Sequence, residues 1–139
     1  MYKKVLHVAL TITGLAMVIY HLVYSQTYLQ GVTEHQIVHI GFALIVVFLL
    51  SAQTKSKLWL FKVVGVLLSL GCFIYLRISY ERLELYGMYQ ATQLDLVVGI
   101  VLILLCLEAT RLRFGPVLPG LALLCIIYMF VGSHLPGTL

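Results

Sequence analysis

The chain has 139 residues, of which 62% are hydrophobic and only 10% charged. A water-soluble domain is usually about 45–50% apolar and about 25% charged, so this composition belongs in lipid and excludes an ordinary soluble domain. The formal net charge of +4 comes from nine dispersed basic residues, too few and too scattered for nucleic acid; they read instead as topology signals.

From Val5 to Thr33 there is no Asp, Glu, Lys or Arg. The spacing predicts a first helix over 5–24. Lys3 and Lys4 ahead of it give the look of a signal peptide, but the apolar run exceeds the usual core and no A-x-A site follows, so it reads as a retained span. The polar stretch SQTYLQGVTEHQ predicts a loop. His35 to Thr54 is again uncharged, giving a second span over 36–53. Lys55, Lys57 and Lys62 follow, with Trp59 among them as an interface anchor, and VVGVLLSLGCFIYL centres a third helix over 58–80. Its far end, RISYERLELYGMYQATQ, is the most water-compatible segment. There Arg77 and Glu81 stand i, i+4 and are expected to pair. Tyr75, Tyr80, Tyr86 and Tyr89 suit the interfacial belt, and a turn is expected near Gly87.

LDLVVGIVLILLCLEATRLR sets a puzzle, because only 12 charge-free residues separate Asp95 from Glu108, whereas a crossing needs about 20 mostly apolar residues. Counted over 94–112 the segment reaches roughly 28 Å as a helix, enough if Asp95 lies at one interface and Glu108 with Arg111 at the other. TQLD reads as a capping box with Asp in place of Glu, which sets negative charge at the positive end of the helix. Glu108 and Arg111, i, i+3, are expected to pair. After Phe114 no charge remains, and a fifth helix is predicted over 116–133, with Pro116 and Pro119 at its start, where proline is tolerated.

These elements give an all-α integral membrane protein: one domain of about five transmembrane helices, with the N-terminus cytoplasmic and the C-terminus periplasmic. Lys3, Lys4, Lys55, Lys57, Lys62, Arg111 and Arg113 then fall inside, against Arg77 and Arg82 outside. If 94–113 did not cross, the split would be five to four, so the positive-inside rule favours the crossing.

No span carries a charge near its centre, where a transporter working alone needs one, and no catalytic set is expected. Cys72, Cys106 and Cys125 lie in apolar runs without a CxxC and read as small packing residues. Gly65, Ser69 and Cys72 on the third helix, and Ala9, Thr13 and Ala16 on the first, form small-residue stripes suited to close helix approach. His7 and His21 are about 21 Å apart along one helix. One pair such as His21 and His39, both near the outer face, could ligate a single haem b, the runner-up to helix packing; a haem-binding redox protein and a membrane assembly factor are the alternative functions.

HIGFALIVVFLL (39–50), LDLVVGIVLILLCLEATR (94–111) and GPVLPGLALLCIIYMFVGSHLPG (115–137) resemble the N-terminal membrane region of TAXI-type TRAP transporter permeases, in the family's order. Leu112 stands where the family often has a second arginine, with Arg113 one step on. The resemblance implies a small Q-like membrane part, in a bacterial inner membrane, packed against a large M-type permease subunit. That M part carries the solute site, the ion coupling and the moving elevator, and a periplasmic solute-binding protein delivers a small organic solute. The chain would then be a separate small subunit, or a piece of a longer protein, that scaffolds the elevator without catalysis or cofactor. Glu108, Arg111, Arg113, Asp95, His39 and Trp59 are the candidate partner-interface or anchor residues.

Overall fold

Five α-helices, and no strand among the described residues, make up the computed structural model, which describes residues 2–27, 31–53, 59–86 and 90–131. They are α1 (Tyr2–Thr27), α2 (Val32–Ala52), α3 (Trp59–Tyr86), α4 (Gln93–Phe114) and α5 (Val117–Val131). The first four are long and apolar enough to cross a membrane, the character of a multi-pass membrane protein; α5 is apolar but only 15 residues long, about 22 Å at 1.5 Å per residue. Lys55, Lys57, Tyr89, the turn expected near Gly87, the last two residues of the predicted fifth span and the side chain of Lys3 lie outside the described residues.

The first three helices extend past the sequence expectation in a physically simple way, α1 running Tyr2–Thr27 rather than 5–24. Helix α2 begins at Val32 rather than 36, and α3 continues to Tyr86 rather than 80. Hydropathy marks where lipid would end, but backbone hydrogen bonding carries a helix beyond that point. The expected loop SQTYLQGVTEHQ is therefore much shorter, since its first residues belong to α1 and its last to α2. At 28 residues, α3 is about 42 Å long and exceeds a hydrocarbon core of about 30 Å.

Helix α2 is the centre of the bundle. It lies against α1, α3 and α4, while α5 lies against α4. The core joins Leu44 and Phe48 of α2 to Cys72 of α3 and to Leu105 and Ala109 of α4. The predicted stripe on α3 sits in this contact: Gly65, Ser69 and Cys72 are its buried residues. Ser69 returns its hydroxyl to the Gly65 carbonyl at 2.7 Å, which satisfies it without a partner helix. The α1 stripe, Ala9, Thr13 and Ala16, lines a cleft facing Gly41, Phe42 and Leu49 of α2. Of the cysteines only Cys72 is buried; Cys106 is intermediate and Cys125 exposed, so the packing expectation fails for Cys125. Its neighbours on α5 are exposed apolar side chains, among them Leu124, Met129 and Phe130.

Candidate functional site

Among the described residues the charged side chains stand near the two ends of the bundle, while Ser69 and Thr13 satisfy their hydroxyls within their own helices. At the end where α2 and α4 begin, one polar junction joins each consecutive pair of the first four helices. Between α1 and α2 it is a cluster of histidine and tyrosine. His35 and His39 are one helical turn apart and share a face of α2, and α1 presents Tyr20, His21 and Tyr24. His21 Nε2 lies 2.9 Å from His39 Nδ1, and the other His21 nitrogen lies 2.7 Å from the Met17 carbonyl oxygen. The His35 ring stacks on Tyr24 at a centroid distance of 3.7 Å, with its Nδ1 3.2 Å from the Tyr20 hydroxyl. Two nitrogens bound on opposite sides of one metal would stand about 4 Å apart, at roughly 2 Å per bond; here the imidazoles meet directly instead.

Between α2 and α3, Arg77 Nη1 meets Glu34 Oε1 at 2.5 Å. This corrects the expected Arg77–Glu81 pair. Because α2 starts early, Glu34 is folded into its first turn and faces α3, and the carboxylate, with a side chain only 15% exposed, is the more desolvated partner.

Between α3 and α4, Asp95 gathers four donors. The Tyr75 hydroxyl and an Arg82 Nη donate to Oδ1 at 2.7 and 2.6 Å. The Thr92 backbone N–H and hydroxyl donate to Oδ2 at 2.6 and 2.8 Å. The capping box expected at TQLD is present in full, with Thr92 as N-cap, and Arg82 also donates to the Gln90 carbonyl at 2.9 Å. A single carboxylate thus caps α4, ties it to α3 and closes the connection between them.

The opposite end carries the other charged candidates. Arg111 holds Glu108 in a bidentate pair with both contacts at 2.6 Å, the expected i, i+3 geometry. Lys62 Nζ donates to the Ser51 carbonyl at 2.9 Å, fastening the start of α3 to the end of α2. Trp59 opens α3 and is 45% exposed. Arg113 lines a groove between α2 and α4 that His39 also lines. Positive φ at Gly115, 81°, turns the chain out of α4; a side chain would be strained there.

The candidates therefore fall into two groups. Glu108, Arg111, Arg113 and Trp59 belong to one end and Asp95 to the other, while His39 joins His21. Tyr75, Arg82, Tyr20, Tyr24 and His35 complete these junctions and were not singled out as their parts; only the recurrence of aromatic and imidazole residues near both helix ends hinted at the α1–α2 cluster. Among the described residues no group of three His, Cys, Asp or Glu could hold a metal ion. An apolar cleft of about 230 Å³ between α3 and α4 is lined by Phe48, Phe61, Leu68 and Leu104, with Glu108 at its edge. No family model, no curated protein and no solved structure matches the chain.

Proposed function

We infer that this chain is the small scaffold part of a TRAP-type secondary transporter in a bacterial inner membrane. It would support a larger M-type elevator subunit that imports a small organic solute with ion coupling, supplied by a periplasmic binding protein. The observation that carries this reading is where the polar groups lie. Charges stand near the two ends of the helices: at one end Arg77–Glu34 and Arg82–Asp95 join neighbouring helices, and at the other Lys62 fastens α3 to α2 while Arg111 pairs with Glu108 within α4. A sliding elevator needs a neighbour that resists tilting and shear, and helices joined at both ends meet that need. The family resemblance of 39–50, 94–111 and 115–137 names the partner.

The test is purification of the tagged full chain from native membranes, followed by calorimetry. A large multi-span permease is expected to co-purify in stoichiometric amount, and the chain alone is expected to bind no organic acid or amino acid. Solute binding by the isolated chain would overturn the scaffold reading.

A further inference from the structure

Imidazole chemistry dictates how protons are arranged between α1 and α2. The Met17 carbonyl can only accept, so His21 carries a proton on Nδ1, 2.7 Å away. A neutral His21 then offers a lone pair on Nε2, and His39 Nδ1, 2.9 Å from it, donates. One added proton preserves this contact and makes it charge-assisted. A second proton leaves two N–H groups facing one another, on two cations with ring centroids 5.1 Å apart.

The charged groups beside the cluster offer the second proton no counter-ion. From α1, Tyr20 and Tyr24 face His35. From α2, His35 itself stands 5.1 Å from His21, centroid to centroid. The carboxylate beside the cluster, Glu34, is already paired with Arg77 of α3, and Tyr80 of α3 reaches the start of α2 at Gly31. Of α4, uncharged Cys106 and Ala109 line the groove that His39 also lines, and Arg113 belongs to the opposite end of the bundle. An open hollow lined by His21, His35, Gln36, His39 and Ile40 gives water access to the pair.

Helix α1 depends on this junction because α2 is the one helix it lies against among the described residues. We propose that the His21–His39 pair is a proton-operated latch, which holds α1 on α2 while it carries at most one proton and releases α1 on the second. Release therefore follows a fall in pH, and the docked state is the one present at neutral and alkaline pH.

Two measurements on the full chain in lipid nanodiscs test the latch. Histidine-selective ¹⁵N NMR at about pH 8, above the range in which imidazole gains its proton, is expected to show Nδ1-protonated His21 and a scalar coupling across the bond to His39. Absence of that coupling overturns the proposal without any substitution. Spin labels at Thr27 and Ile78, in a background with the three cysteines replaced, then report the α1–α3 distance. A shift to longer distance is expected between about pH 8 and about pH 5, either side of the imidazole range, and the H21N/H39N variant is expected to lose that shift. An unchanged distance in the parent chain, or a shift that survives in the variant, overturns it.

Discussion

At Gly65 the missing side chain is a packing requirement. A Cβ there would lie 2.6 Å from Phe48 Cδ1, and the Phe48 ring, 1% exposed, could make room only by leaving its core contacts with Leu44, Cys72 and Leu105. Gly65→Ala is therefore expected to destabilise the chain by about 1–3 kcal/mol, the usual range for overpacking, measured as a shifted midpoint in mixed-micelle unfolding. Gly71 is the matched control, on the same helix with nothing within 4 Å of its Cβ direction; Gly71→Ala is expected to stay within about 0.5 kcal/mol of the parent. Equal effects at the two sites would mean that α2 and α3 do not meet through Gly65. The Glu34–Arg77 pair makes a smaller demand. Because the Arg77 side chain is 39% exposed, a double-mutant cycle over Glu34→Ala and Arg77→Ala is expected to give a coupling below about 1 kcal/mol. Glu81→Ala is expected to show no coupling to Arg77 in the same assay.

Each junction between helices rests on a few local devices, and α4 shows how far those were visible in the sequence. Its start is a four-residue motif, and its charged end is an i, i+3 pair, so Thr92, Asp95, Glu108 and Arg111 were all legible from spacing alone. Thr92→Ala removes the hydroxyl that accepts from the Asp95 N–H at 3.3 Å and donates to its carboxylate. A loss of about 1 kcal/mol, typical of an N-cap, is expected in the same unfolding assay, and Thr92→Ser is expected to restore most of it. Tyr75 and Arg82 were not legible as partners of the same carboxylate, because nothing in local spacing says which face of α3 turns towards α4. The same holds for Glu34 with Arg77, whereas His21 and His39 were paired from the sequence as haem ligands and meet in the structure by a direct ring-to-ring hydrogen bond. For Arg77 a local alternative was available in Glu81, and helix packing overrode it. The long apolar runs made the helices themselves readable, whereas their ends were misplaced wherever a helix continues past its apolar run.

Taken as a whole the bundle is electrically lopsided, and that asymmetry predicts an orientation. The α1–α2 and α2–α3 contacts run antiparallel, so Lys4, Lys62, Arg111 and Arg113 gather with Glu108 at one end, four basic residues against one acid among the described residues. Arg77 and Arg82 gather with Glu34, Glu81, Glu84 and Asp95 at the other, two against four. The basic end is expected to face the cytoplasm, with the Asp95 end and the histidine cluster on the periplasmic side. Single cysteines in a cysteine-free chain check this directly. Thr27 ends α1 and is exposed, and Phe114 ends α4 and is 72% exposed. With a membrane-impermeant maleimide, Thr27→Cys is expected to label in intact cells and Phe114→Cys only after lysis. The reverse pattern would invert the bundle and place the histidine pair in the cytoplasm, away from a periplasmic acid load. Labelling of both positions in intact cells would mean that an odd number of the helices between them fails to cross. That would remove the continuous scaffold on which an elevator could slide.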